Sequence, residues 1–573
     1  MGAILNRFRR KPHVKKTSDV VALQGAARTS KSQARARITI AMLGFCAVYA
    51  VIGGRLVQYG LADDQIVSSI PRGDQGMASR PDLVDRNGEV LATDIRTVSL
   101  YAEPRRIVDA DEAIERLKTV LPDLDVRTTY RKLSSDSGFQ WLRRQLTPKQ
   151  QSEIMALGIP GIGFRPEKRR FYPGGPTASH VVGHVNIDNR GIAGMEKYVD
   201  AQGLSDLFDL GMTINEELEP VPLSIDLRVQ HIVRDELAAA MERYRAIAAG
   251  AVVLDVHTGE VIAMSSLPDY NPNNPAEALD KDRMNRMSAG TYEMGSTFKT
   301  FTTAMALDSG LVRMSDIFDA SRPIRVGGHT ISDFKGKNRP LSVPEIFIYS
   351  SNIGTAKMAD IVGIEGHKDF LNRIGLLSRM HTELPEVAMP TQPSEWKKIH
   401  SVTISFGHGA TTTPLQTAVA AAALMNGGKL IPPTFVPRTV EEADRVAKQV
   451  VNPQTSADMR ELFRMNSIGG SGKRAEVEGF RVGGKTGTAE KVVNGRYATD
   501  VRFNAYLAAF PMDDPQYVVL VIVDEPKPEE GAYAATAGLN AAPTVGAIIR
   551  RSASLLGVKP QFGANGSATL VSY

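Results

Sequence analysis

The sequence predicts an α/β fold: one antiparallel sheet sandwiched by helices, preceded by a mixed module and a single transmembrane helix. Three observations predict it. Strand-like runs at 249–265 and 480–524 enclose a long helix-rich middle, the pattern of a sheet opened early and closed late in the chain. An uncharged run of 17 residues, Ile38 to Gly54, follows a basic tail. Between these lies a turn-rich stretch, residues 57–220, with no catalytic set.

From the N-terminus, residues 1–37 carry ten Lys/Arg against Asp19 alone, a charge of +9. The whole chain of 573 residues totals +5, so the remainder sums to −4, which argues against a nucleic-acid-binding body. As a helix, the 38–54 run spans about 25 Å, the short end of a bilayer crossing. Positive charge on its leading flank orients the N-terminus to the cytoplasm. Residues 1–37 are therefore read as a cytoplasmic tail and 38–56 as the membrane helix. A cleaved leader is the rival, since Gly60-Leu61-Ala62 resembles a cleavage site, but 37 residues is long for a basic leader and Arg55 intervenes. A buried core helix is disfavoured by the basic flank. The single cysteine, Cys46, lies inside the run, so no intrachain disulfide forms. Metal-ligand spacing of Cys and His is missing, no cofactor is expected, and His184 and His408 read as hydrogen-bonded loop or core histidines.

Residues 57–220 form a separate, mixed module. Leu83 to Leu91 signals a hairpin around Asn87-Gly88. Arg80, Asp85 and Glu196 are read as independent surface charges, with a pairing that fixes the module to the next domain as the alternative.

Residues 221–556 form the catalytic domain. Asp226 to Tyr244 is a helix, with Val229, Ile232, Val233, Leu237 and Met241 on one face. Ala249–Asp255 and Val261–Ser265 are strands joined at His257-Thr258-Gly259. Phe503 to Phe510 and Tyr517 to Val523 are later strands, and Asn494-Gly495 is a hairpin turn before them. Ser467 to Gly472 reads as a flexible loop and 557–573 as a loose tail.

Three short motifs carry the chemistry. Ser296-Thr297-Phe298-Lys299, Ser350-Ser351-Asn352 and Lys485-Thr486-Gly487-Thr488 stand in that order, forming a Ser-x-x-Lys, Ser-x-Asn, Lys-Thr-Gly set. On a helix, residues three apart share a face, so Ser296 and Lys299 can meet. Ser296 is the nucleophile and a neutral Lys299 its base, with burial and the charge of Lys485 lowering the Lys299 pKa. Ser350 relays a proton to the leaving amine, while Asn352 holds Lys299 and a substrate amide. The Lys-Thr-Gly strand lies near a sheet edge, where a peptide can add by main-chain pairing. The Ser296 and Thr488 N–H groups form the oxyanion hole, Gly487 belongs to the substrate strand, and the Thr486 and Thr488 hydroxyls take a carboxylate. Singly each motif is weak: Ser394 to Lys397 repeats Ser-x-x-Lys in a solvated segment, and Ser-x-Asn alone is usually a helix cap. Gly479 to Thr486 also matches a phosphate loop, but a hairpin rather than a helix is expected after it.

Tyr292 to Lys299 resembles the Tyr-Glu-Pro-Gly-Ser-Thr-Phe-Lys segment of class B penicillin-binding proteins of the septal, FtsI-type subgroup, with Met294 at the proline position. Tyr172-Pro173-Gly174, Ser405 to Gly409 and Thr413 to Gln416 fit the same family. The resemblance implies the penicillin-binding/serine β-lactamase-like transpeptidase fold with a dimerisation-type pedestal. It implies a D-Ala-D-Ala transpeptidase that cross-links peptidoglycan stem peptides during septation and is acylated by β-lactams. It also implies partnership with a membrane glycosyltransferase and other division proteins, and a single-pass location in the inner membrane with the catalytic domain outside the cytoplasm. An elongation-type enzyme, a D,D-carboxypeptidase and a β-lactam-binding receptor are the alternatives.

Overall fold

The computed structural model describes residues 42, 43, 46, 49, 50, 80–204, 218–493, 496–531 and 534–562. The chain divides into two compact units, 1–75 and 76–573. The expected tail, most of the expected membrane run, the Gly60-Leu61-Ala62 site and the Asn494-Gly495 turn lie outside the described residues. Among the described residues no helix is long and apolar enough to cross a membrane.

The catalytic domain is built on five strands: β1 (Ala248–Asp255), β2 (Val261–Leu267), β3 (Gly483–Val493), β4 (Arg496–Phe510) and β5 (Tyr517–Asp524). They run in the order β3-β4-β5-β1-β2, antiparallel throughout. Both faces are covered, which explains runs such as Tyr517–Asp524 that are apolar without alternation. Ala251, Val253, Val519 and Val521 face α1 (Leu227–Tyr244) and α6 (Ala541–Ser552), through Val229, Val233, Leu237, Val545, Ile548 and Ile549. Val252, Leu254, Leu520 and Ile522 face the other way, into a core with α2 (Lys299–Asp308), α4 (Pro414–Met425) and α5 (Pro453–Gly469).

Local chemistry sets the helix ends. Asp226 is the N-cap of α1, its carboxylate accepting from the Arg228 and Val229 N–H groups, so the helix starts one residue later than expected. In Thr413-Pro414-Leu415-Gln416, Thr413 and Gln416 form a capping box with Pro414 at the first helical position. Every residue of α4 is buried, as its apolar circumference requires. After α2, Gly310 adopts φ +71° beyond Asp308, the stop the sequence signalled.

Two loops are more ordered than their composition suggested. Ser467 to Gly469 is the last turn of α5, and the buried Ser467 hydroxyl meets Tyr506 Oη at 3.1 Å. At the other end, the Gln561 N–H donates to Gly479 O at 2.7 Å, so 557–562 docks on the domain. Residues 563–573 lie outside the described residues.

The module before the catalytic domain has two parts. Its outer part, around Leu100, Leu117, Leu133 and Leu146, holds small cores of its own. Its inner part shares the catalytic domain's core: Leu83, Leu91, Tyr172, Val181 and Met195 cluster with Leu223, Val252 and Met264. The Asn87-Gly88 turn forms as expected, with Gly88 at φ +87° and the Asn87 and Glu89 N–H groups on Asp85 Oδ1. Arg80, Asp85 and Glu196 are not surface charges: none is more than 2% exposed. Glu196 accepts from both Arg80 (2.9 Å) and Arg170 (2.6 Å), and Arg80 also reaches Asp200. Asp85 Oδ2 instead accepts from the Leu227 N–H at 3.0 Å, joining the module to the start of α1.

Candidate active site

Ser296 sits on a tight 3₁₀ turn, Gly295–Phe298, that leads into α2. Three residues per turn stack Lys299 directly behind Ser296. Gly295 opens the turn at φ +53°, a conformation that favours glycine. Gly295, Thr297, Phe298 and Lys299 are buried while Ser296 stays partly exposed. Among the described residues no hydrogen bond holds the Ser296 hydroxyl.

The turn is wedged from two sides. A Cβ at Gly487 on β3 would lie 2.4 Å from Met294 O, and one at Gly407 (φ +92°) would lie 1.9 Å from Gly295 O. A Cβ on Gly295 would lie 3.0 Å from Thr488 O, so the start of the turn lies against the Thr488 backbone. Only glycine permits the approaches at Gly487 and Gly407.

Behind the serine, Lys299 Nζ donates to Ser350 O (2.5 Å) and Ser350 Oγ (3.0 Å). Lys485 Nζ, from the edge strand β3, donates to the same Ser350 Oγ at 3.0 Å. Ser350 holds φ +56° at the end of the helix Val343–Tyr349, a conformation rare for a residue with a side chain and typical of functional sites. Its neighbour Ser351 caps α3 (Asn352–Arg373), accepting from the Gly354 N–H and donating to Asp333 Oδ2 at 2.8 Å. One tripeptide thus supplies both the helix cap and the Ser-x-Asn motif. Asn352 departs from expectation. Its amide donates to Ser332 O at 2.9 Å, and among the described residues it makes no hydrogen bond to Lys299.

Both lysines are essentially unexposed, at 1% and 0%. Burial, then the charge of Lys485, pushes the Lys299 amine well below its ordinary range, with Asp333 opposing. Burial brings Lys485 down to about 7. Removal from water thus outweighs mutual repulsion as the cause.

The two threonines of β3 point to its other side. Thr486 Oγ1 meets Ser471 Oγ at 2.5 Å, and Thr488 Oγ1 accepts from the Ala537 N–H at 3.1 Å. Ser471 and Asp333 were missed in the sequence, because nothing local ties them to the motifs they touch. Elsewhere, Ser394 and Lys397 are exposed, as a solvated segment should be, and the phosphate-loop match continues as strand β3. His184 is a buried partner of Tyr270 Oη, at 3.1 Å. His408 sits beside the nucleophile turn, 3.2 Å from Glu293.

Residues 249–550 match the family of the penicillin-binding protein transpeptidase domain, and residues 76–203 match the penicillin-binding protein dimerisation domain. The chain is 38% identical over 549 residues to "Probable peptidoglycan D,D-transpeptidase FtsI" of Caulobacter vibrioides, covering 93% of this chain and 91% of that one. It is 32% identical to "Probable peptidoglycan D,D-transpeptidase PenA" of Neisseria meningitidis serogroup B, over 91% and 93% of the two chains. It is 30% identical to "Peptidoglycan D,D-transpeptidase FtsI" of Escherichia coli K12, over 85% of each. A partly exposed serine on a wedged turn, two buried lysines sharing one serine hydroxyl and these matches agree: the chain belongs to the penicillin-binding proteins, with the family's transpeptidase and dimerisation domains.

Proposed function

We propose that the protein is a serine-type peptidoglycan D,D-transpeptidase of the FtsI type, acting in septal wall synthesis. The observation that carries this is the position of Ser350 Oγ, 3.0 Å from each of two buried lysine amines and behind Ser296. In this reading Ser296 Oγ attacks the carbonyl of the penultimate D-Ala of a stem peptide while the Lys299 amine takes its proton. Burial lowers the cost of leaving that amine neutral. The oxyanion develops against the Ser296 and Thr488 N–H groups. As the amide bond breaks, Ser350 gives its proton to the departing D-Ala amine and is reprotonated from the lysine pair. An oxygen that accepts from two amines turns its own hydrogen toward the cleft, which suits that relay. The amine of a second stem peptide then attacks the Ser296 ester and restores the hydroxyl. The outer edge of β3 offers the donor peptide a strand to pair with.

β-Lactams, whose strained amide mimics D-Ala-D-Ala, acylate the same serine. The 38–54 run anchors the protein in the inner membrane, N-terminus inside, so the catalytic domain works beyond it alongside a membrane glycosyltransferase and other division proteins. The Tyr292 to Lys299 segment supports the septal assignment.

Labelling with a fluorescent penicillin tests the chemistry. A stable covalent band in the wild type, lost in Ser296→Ala, is expected. No band in the folded wild type refutes it, and a band that decays within seconds points to a hydrolase. Carbonate washing tests the anchor: the protein stays with membranes, and release at shortened length refutes it.

A further inference from the structure

Glu293 lies three residues before Ser296 and takes no part in the proton path. Its carboxylate gathers three donors from two distant segments. The Gly409 N–H donates at 2.7 Å, His408 Nδ1 lies at 3.2 Å, and Tyr497 Oη donates at 3.1 Å to one oxygen and 3.3 Å to the other. His408 and Gly409 belong to the loop whose Gly407 presses on Gly295 O. Tyr497 stands on β4, opposite Val492 of the strand that carries Lys485 to Thr488. The Tyr497 and His408 rings also meet edge to face, with centroids 5.6 Å apart. The two elements that wedge the nucleophile turn are thus tied together through a carboxylate on the turn's own lead-in. The carboxylate is largely enclosed, 18% exposed. Burial alone would raise its pKa, but the donors from His408, Gly409 and Tyr497 outweigh burial and hold it below the usual range.

We infer that Glu293 is a positioning residue for acylation: it holds the Gly407–Gly409 loop and the β3–β4 hairpin against the Ser296 turn, and so sets the spacing of the Ser296 and Thr488 backbones. The inference rests on the acyl-enzyme reading of Ser296. Glu293 touches neither Ser296, Lys299 nor Ser350 among the described residues. Its loss should therefore slow the covalent step while leaving the preceding complex almost as tight.

The experiment is stopped-flow acylation by a fluorescent penicillin, separating the acylation rate constant from the dissociation constant of the first complex. Glu293→Gln keeps the volume but gives up the charge and one acceptor oxygen. The acylation rate constant falls about tenfold, as expected for a small misplacement of reacting groups, with the dissociation constant changed less than about twofold. Tyr497→Phe, at a half-exposed position, loses one of the three ties and slows acylation about threefold. A folded Glu293→Gln protein that acylates at the wild-type rate overturns the inference, as does a loss confined to the dissociation constant. If Glu293→Gln fails to fold, an unchanged rate in Tyr497→Phe overturns it. A wild type that takes no label refutes the Ser296 chemistry itself, and this inference falls with it.

Discussion

Replacing Lys485 by Met tests the electrostatics of the proton path. Two bonds of 3.0 Å meeting at Ser350 Oγ place the Lys299 and Lys485 nitrogens no more than about 6 Å apart. At an effective dielectric of about 20, two unit charges at that distance repel by roughly 3 kcal/mol. Like charge disfavours the protonated form of Lys299, so removing Lys485 raises the Lys299 pKa. Burial remains in the variant, and so does the opposing pull of Asp333, so the amine still titrates below an exposed lysine. Acylation requires neutral Lys299, so its rate falls on the acid side of that pKa. In Lys485→Met the acid limb of the pH–rate profile should move toward alkaline pH. The amplitude also drops, because Ser350 loses a donor, but the position of the limb is independent of amplitude. The assay is the penicillin acylation rate measured across pH for both proteins. An acid limb that stays in place refutes the argument, and would mean that burial alone keeps Lys299 neutral.

Three other outcomes follow from the geometry. Gly487→Ala puts a methyl group 2.4 Å from Met294 O, so it should push the edge strand off the nucleophile turn and lower the acylation rate by about a hundredfold, read in the same assay. Glu196→Gln removes the charge between the buried Arg80 and Arg170 and one of the two oxygens that accept from them, which should cost about 3 kcal/mol in denaturant unfolding. His367 is brought down to about 4 from 6.5 by burial, so the unfolded chain binds its proton first. Its contribution is fully present above pH 6.5 and about 3 kcal/mol is lost as pH falls toward 4. His367→Gln should flatten stability over that window, and an unchanged acid slope would refute the assignment.

The catalytic sheet was legible in the sequence because each strand is bounded by turn residues and the long helices carry their caps. Ser296, Lys299, Ser350 and Lys485 were legible because their order and spacing are read along the chain. What stayed hidden depends on contacts between distant segments. Asp333 meets Ser351 from 18 residues away and Glu293 meets Tyr497 across 204, distances at which no periodicity survives. Arg80 and Glu196 were read as surface charges because a charged side chain is usually exposed. The structure buries both in a network with Arg170 and Asp200 that satisfies each charge. Ser467 to Gly472 looked like a loop from its glycines, but tertiary contact with Tyr506 keeps its first residues helical.

The continuous core beneath the catalytic sheet bears on how the protein divides. Sequence comparison marks two families with a boundary between 203 and 249, yet Leu83, Leu91, Tyr172 and Met195 bury their side chains with Leu223, Val252 and Met264. The Leu227 N–H at the head of α1 is satisfied by Asp85, and Leu83–Val84 pairs with Val221–Pro222 as parallel strands. A fragment begun at 221 would expose that apolar seam and leave α1 without part of its cap. The inherited modules are therefore not the units of cooperative unfolding: the inner pedestal should melt with the catalytic domain, while the outer lobe around Leu100 and Leu117 can come apart alone.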